Sequence, residues 1–108
     1  MDLLARLDTG SSHCIFDRAY CALLGLELYS GLPERIRTAT GAFQTYGHEV
    51  ILSVFDFEWE AVVYFAESES FSLNVLGRFG FLDRLRVAVV DYEEQLYLGL
   101  YGQEQPLT

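Results

Sequence analysis

The strongest constraint on the fold is a pair of β-prone runs on either side of a short polar turn. Residues 49–55 and 59–65 are rich in β-branched and aromatic side chains, and Asp56 lies between them. This arrangement predicts a long β-hairpin. We expect the hairpin to form the centre of the core, with Trp59 packed inside it. The chain has 108 residues, of which 51% are hydrophobic, which is enough for one packed domain but too short for two.

The remaining segments predict further short strands and one or two short helices. Residues 17–24 are typical of a helix, because Asp17 stands where an N-cap belongs and Gly25 follows as a stop signal. A second helical turn is expected over residues 81–85. Together these elements indicate a mostly β, barrel-like domain. The other strands are expected at residues 3–7, 13–16, 26–29, 35–38, 43–46, 86–90 and 95–98.

The charge and hydropathy of the chain argue against two classes of partner. The formal net charge is −9, whereas nucleic-acid binding requires a basic face and an anionic membrane surface attracts basic segments. Charged residues interrupt every apolar run before it reaches the ~20 residues of a membrane span. The first residues also lack the basic and long apolar regions of a signal peptide. We therefore expect no nucleic acid partner, no membrane association and a cytoplasmic location.

Neither the cysteines nor the histidines predict a metal site. Cys14 and Cys21 are seven residues apart and are expected to be small buried thiols in a reducing compartment. A structural zinc site needs four good ligands. His13 lies near the cysteines but His48 is distant in the sequence, so the sequence predicts no metal.

The motif with the most chemical content is Asp8-Thr9-Gly10-Ser11, which follows a short apolar run. An aspartate at the end of a buried strand is costly unless its charge or its proton is used. Thr9 and Gly10 suit a tight turn, and Gly10 lets another backbone approach closely. The same residues also suit an ordinary turn at the end of a strand, so the meaning of the motif depends on the rest of the chain.

Four features, in this order, resemble the retropepsin-like aspartic proteases, the single-domain class that includes the retroviral proteases. The first is the Asp8 loop, and the second is a helix ending in Leu24-Gly25-Leu26, which is similar to the cellular and bacterial branch. The third is a hairpin around Thr40-Gly41-Ala42, and the fourth is Asn74-Val75-Leu76-Gly77-Arg78 before a short helix. The resemblance covers nearly the whole chain. It implies a closed barrel formed by residues 1–101, followed by a tail at 102–108.

The resemblance also implies an activity, that of an aspartic endopeptidase acting on extended peptides or unfolded proteins without a cofactor. Proteases of this class use two carboxylates that share a proton. Only Asp8 lies in an Asp-Thr-Gly sequence. We therefore expect the second carboxylate to be Asp8 of another copy, in a homodimer whose two-fold axis passes through the active site. Asp8 is then the catalytic residue, and water is the nucleophile.

The residues that follow Asp8 take their expected roles from the same resemblance. Thr9 is expected to tie the two catalytic loops together through its hydroxyl group. Gly10 is expected to let the substrate backbone approach. Ser11 is expected to donate a hydrogen bond toward the Asp8 carboxylate, which would favour the charged form.

Two further groups of residues complete the expected site. A flap is expected to close over the peptide, supply backbone hydrogen bonds and exclude water. Gly77 is expected to permit close packing under the catalytic loop, and Arg78 is expected to brace the active-site or dimer region. The flap residues are Thr40, Gly41, Ala42 and Phe43.

The chain also departs from the family pattern. Only seven residues precede Asp8, where family members carry a longer strand or hairpin, so we expect the N-terminal strand to be truncated. Two other functions stay open from the sequence. One is a non-catalytic peptide-binding or dimerisation module with the same fold, and the other is a small ligand-binding barrel unrelated to proteolysis.

Overall fold

The computed structural model describes residues 1–39, 41–90, 92 and 94–100. Within these ranges the chain is mostly β, as predicted, with a helix α1 (Arg18–Leu23) and a 3-10 turn (Leu28–Ser30). The predicted tail at 102–108 lies outside the described residues. The strands are β1 (Arg6–Leu7), β2 (Ile15–Phe16), β3 (Leu32–Thr38), β4 (Gly41–Val54), β5 (Phe57–Ala66), β6 (Val75–Leu76), β7 (Leu85–Val90) and β8 (Gln95–Leu100).

Six of the strands form one sheet in the order β1-β6-β2-β5-β4-β3, and β7 and β8 form a separate antiparallel hairpin. The strands β3, β4 and β5 form an antiparallel meander. The short strands β1 and β2 instead pair in parallel with β6 and β5. The sheet therefore joins segments that are distant in the sequence at its β1 end.

The predicted closed barrel is wrong, because the sheet stays open. The strands β1 and β3 occupy its two ends, and the described residues contain no ladder that joins one end to the other. Closure requires every strand to be paired on both edges. The β7–β8 hairpin packs on the core through the side chains of Leu85, Val87 and Leu98 but does not bond to the larger sheet.

The helix α1 begins and ends where the sequence predicts. The Asp17 carboxylate accepts a hydrogen bond from the backbone N–H of Ala19 at 2.9 Å. At the other end, Gly25 has a φ of 75°, a conformation that favours glycine. The N–H of Gly25 donates to Ala22 O, and the N–H of Leu26 to Cys21 O. These two bonds form a Schellman motif, which satisfies the last carbonyls of the helix. No helix in the described part of the chain is both long and apolar enough to span a membrane.

Three local predictions differ from the structure. The alternating segment at 26–29 is not a strand, because Leu28 is buried in a 3-10 turn. The Nε2 atom of His48 lies 3.0 Å from the Leu28 carbonyl oxygen. The runs predicted as separate strands at 43–46 and 49–55 are continuous in β4, and residues 81–84 form turns rather than a helix.

The β4–β5 hairpin contributes Val63 and Phe65 of β5 to the buried core, and other apolar side chains of the hairpin pack against that core while partly buried. Between Ala61 and Phe65 every second side chain of β5 is buried, which is the periodicity of a strand with one covered face. Trp59 packs against this core with its ring centroid 5.8 Å from that of Phe81. Its indole N–H donates to the Gly80 carbonyl at 2.7 Å.

Candidate functional site

The Asp8 loop begins at the end of β1, where that strand pairs with β6. The parallel register joins Arg6 to Val75 and Leu7 to Leu76. The backbone N–H of Asp8 then donates to the Leu76 carbonyl at 3.0 Å. Asp8 is thus fixed through its main chain to the end of a paired strand, and its side chain is exposed.

Within the loop, the carboxylate of Asp8 is held by the backbone. The N–H of Gly10 donates to Asp8 Oδ1 at 2.9 Å, and the N–H of Ser11 donates to the Asp8 carbonyl at 3.1 Å. The hydroxyl group of Ser11 does not donate toward the carboxylate, contrary to the prediction. It donates instead to the His13 carbonyl at 2.8 Å, so it stabilises the loop itself. The side chain of Thr9 is exposed.

Gly77 lies directly against the back of this loop. A Cβ atom at this position would be 2.3 Å from the His13 carbonyl oxygen and 2.6 Å from the Ser11 carbonyl oxygen. Both neighbours are backbone atoms, which cannot rotate away as a flexible side chain can. The close approach of the two segments therefore requires a residue without a side chain.

Arg78 holds the loop through its main chain rather than through its guanidinium group. Its N–H donates to the Ser11 carbonyl, and the N–H of Phe79 donates to the Ser12 carbonyl, each at 2.9 Å. The Arg78 side chain is exposed. Among residues 1–39, 41–90, 92 and 94–100 its guanidinium has no hydrogen-bond or ion-pair partner.

Asn74 is a supporting residue of the site, to which the sequence motif that contains it gave no role. It is buried, with 9% of its surface exposed. Its side-chain amide donates to the Leu4 carbonyl and accepts from the Asp17 N–H, each at 3.0 Å, and its own carbonyl accepts from the Arg6 N–H at 2.7 Å. Asn74 therefore joins the strand before Asp8 to the start of α1. The sequence signal that could have indicated this role is the position of a polar residue directly before the apolar pair of β6.

The predicted flap corresponds to the β3–β4 hairpin. The last paired residues are Thr38 and Gly41, and the Thr38 hydroxyl donates to the Gly41 carbonyl at 3.0 Å. Gly41 has a φ of 141°, which strains any residue with a side chain. Ala42 is exposed, and Thr40 lies outside the described residues.

The Asp8 loop and the β3–β4 hairpin face each other across one cleft of about 570 Å³. Of the predicted site residues, Asp8, Gly10, Ser11 and Phe43 line this cleft, whereas Gly77 and Arg78 lie behind the loop. The ring of Phe43 stacks on Phe71 with 5.3 Å between centroids. Asp8 is the only carboxylate among the lining residues that the structure describes. One chain alone thus offers one carboxylate that can accept or donate one proton.

The hairpin also brings residues to the cleft that the sequence reasoning missed. Arg35, Ile36 and Arg37 of β3 all line it. His13 lies at the loop side of the cleft, and its ring contacts Tyr64 edge to face at a centroid distance of 4.9 Å. This packing agrees with a structural role for His13.

The other groups near the loop are poorly suited to nucleophilic or metal chemistry. Burial raises the pKa of the Cys14 thiol, although its hydrogen bond from the Gly77 N–H acts in the opposite direction. The thiol therefore stays protonated at neutral pH, and a protonated thiol is a weak nucleophile. Within the described residues, no three side chains of the His, Cys, Asp or Glu type are placed to share a metal ion.

Comparison with known proteins does not assign the chain to a family. No model of a known protein family matches it, and a search of curated proteins finds no significant match. A function for this chain is therefore inferred from the geometry of the cleft.

Proposed function

We propose that this chain is an aspartic endopeptidase that acts as a homodimer of the retropepsin-like type. The observation that carries the proposal is the cleft in which the exposed Asp8 carboxylate faces the β3–β4 hairpin. A carboxylate that accepts a backbone hydrogen bond from the Gly10 N–H and lines a cleft, opposite a hairpin that can cover it, suits the binding of an extended peptide. The cleft supports the same placement of catalytic loop and flap that the sequence resemblance implies.

Two copies of Asp8 would complete the chemistry. Two carboxylates close together do not both ionise readily, so the pair holds one proton. The charged carboxylate takes a proton from water, and the water oxygen attacks the carbonyl carbon of the peptide bond. The protonated carboxyl group gives its proton to the carbonyl oxygen, which yields a tetrahedral diol. The carboxyl group that took the water proton then gives it to the amide nitrogen, the other carboxylate takes a proton from one hydroxyl of the diol, and the carbon–nitrogen bond breaks to leave a carboxylic acid and an amine.

The supporting residues of the loop fit this proposal. A C2 axis beside Asp8 places the same loop of each copy opposite the other, and the exposed Thr9 side chain is available for a contact between them. Gly77 and Arg78 support the loop from behind. Cys14 and Cys21 are unpaired thiols, which supports a reducing compartment. We accordingly propose a cytoplasmic location.

The rate of cleavage should depend on protein concentration, because a single chain lacks the second carboxylate. The wild-type protein is incubated with a denatured protein substrate over a dilution series, and new peptide termini are counted by mass spectrometry. Sedimentation of the same samples gives the fraction of dimer. We expect the specific activity to follow the dimer fraction and to fall in proportion to it on dilution.

Two outcomes of this experiment would contradict the proposal. A specific activity that stays constant where the chain sediments as a monomer would show that one copy is sufficient. A dimer that binds the substrate but releases no new termini would identify a non-catalytic peptide-binding module.

A further inference from the structure

The outer hairpin, residues 35–38 and 41–44, extends beyond the rest of its sheet. The ladder between β4 and β5 ends at the pair of Thr45 and Ala66. In the part of the chain that the structure describes, the strand residues beyond this pair are joined only to one another, across β3 and β4. A two-stranded hairpin is only marginally stable by itself. Contacts with other segments therefore decide where the outer hairpin lies.

Phe43 gives the outer hairpin an aromatic contact with another segment. It lies directly opposite Ile36 in the β3–β4 register, so the two side chains leave the hairpin on the same side. Both residues line the cleft of Asp8, and so does Phe71. The ring of Phe71 stacks on that of Phe43 with an angle of 23° between their planes. Because Phe71 lies between β5 and β6, the stack joins the outer hairpin to the loop that leads into β6.

The turn that carries Phe71 is held by its own hydrogen bonds. The N–H of Phe71 donates to the Ser68 carbonyl at 3.2 Å, and the hydroxyl oxygens of Ser68 and Ser70 are 2.7 Å apart. The N–H of Glu67 donates to the Gln44 carbonyl at 3.0 Å, which fixes the start of the loop beside β4. The backbone of Phe71 is therefore held independently of its ring, which can serve as a fixed support for the hairpin.

The stack is separate from the main apolar core. Both rings are half-buried. Within the described chain, the core cluster around Phe65 and Phe81 and the side chains packed on it include neither ring. Stacked aromatic rings stabilise a structure beyond the apolar area that they bury. Loss of the stack would therefore release the outer hairpin and leave the core packed.

We propose that Phe71 is a positioning residue, whose stack on Phe43 holds the outer hairpin over the Asp8 cleft. The inference rests on the proposed peptidase function, in which this hairpin covers a bound peptide. Closure of the hairpin stabilises the bound substrate and the transition state equally. Loss of the stack therefore raises KM and leaves kcat unchanged.

Hydrogen exchange of the free protein tests the stack without any substrate. Phe71→Leu keeps an apolar side chain but removes the ring, whereas Phe71→Tyr keeps the ring. In Phe71→Leu we expect the outer hairpin to exchange about fivefold faster, the factor that corresponds to a typical aromatic pair, and β5 to keep its wild-type rate. Phe71→Tyr should exchange at the wild-type rate in both segments. So should the control Phe55→Leu, which removes an exposed ring from the turn after β4.

Cleavage kinetics then connect the stack to the site. On a fluorogenic peptide, we expect Phe71→Leu to raise KM about fivefold while kcat stays within about twofold of the wild-type value. In a protein that already carries Phe43→Leu, the addition of Phe71→Leu should not raise KM further, because the stack is already lost.

The exchange and kinetic results separate this inference from the proposed function. The inference is overturned if Phe71→Leu leaves the exchange of the outer hairpin unchanged, if β5 exchanges faster by the same factor, or if that variant fails to fold. A fall in kcat at constant KM would also overturn it, because the ring would then support the Asp8 loop. Faster exchange confined to the outer hairpin, in a protein that cleaves no peptide, would support the role of the stack and refute only the peptidase.

Discussion

The Asp8→Asn variant is expected to lose cleavage of peptide substrates by about 10²- to 10⁴-fold, the range attributed to general acid–base catalysis. An asparagine amide can neither take the proton of the attacking water nor return one to the substrate. The fold should be unchanged, because Oδ1 of asparagine can accept the same hydrogen bond that the Gly10 N–H gives to Asp8. The measurement is kcat/KM on a fluorogenic peptide, with circular dichroism and sedimentation as checks on the fold and the dimer.

The matched control is Asp56→Asn, which removes the same charge away from the cleft. Asp56 lies with Phe55 in the two-residue turn between β4 and β5, since Val54 and Phe57 are the last paired residues. The side chain of Asp56 is exposed, and asparagine suits such a turn. We expect wild-type activity from this control. Equal activity of Asp8→Asn and Asp56→Asn would exclude Asp8 from catalysis.

Replacement of Gly77 with alanine is expected to produce the largest loss of stability. The added methyl carbon would lie 2.3 Å from the His13 carbonyl oxygen, far inside van der Waals contact, so one of the two backbones must move. We expect the free energy of unfolding to fall by about 2–3 kcal/mol, at the upper end of the usual cost of overpacking. Denaturant titration followed by circular dichroism measures this change. Because the shifted backbone carries the Asp8 loop, activity should fall more than the folded fraction does.

A second glycine provides the control for this substitution. A Cβ atom added to Gly99 of β8 would lie 3.9 Å from its nearest neighbour, the Cβ atom of Arg86. This distance is an ordinary van der Waals contact. We expect Gly99→Ala to change the free energy of unfolding by less than about 0.5 kcal/mol. A similar stability in the two alanine variants would contradict the close packing described for Gly77.

Predictions from the sequence succeeded where the signal is local. The helix α1 is specified by residues at its own ends, Asp17 and Gly25, and the β4–β5 hairpin by two β-prone runs with a turn between them. The strand predicted at residues 26–29 was wrong because their alternating pattern also suits a turn that buries Leu28 alone. The open sheet was not predictable in the same way, because closure depends on pairing between distant segments such as β1 and β6.

In the candidate site, too, the features with a local sequence signal were predictable, and those that depend on contacts between distant segments were not. The Asp-Thr-Gly motif and the small-residue turn predicted as a flap are local signals, and Asp8, Gly10 and the nearby Phe43 line the cleft. The role of Asn74 depends instead on which segments come together, because its side chain joins the segment before Asp8 to the start of α1.

The most direct test of shared catalysis mixes the two kinds of subunit. Wild-type protein is combined with increasing amounts of Asp8→Asn, and subunits are allowed to exchange before cleavage is measured. If each active site needs Asp8 from both copies, mixed dimers are inactive. An equal mixture should then retain about half of the wild-type activity, and an excess of the variant should abolish it. Activity that stays constant at every ratio would contradict the account, because it would mean that one chain cleaves peptides alone.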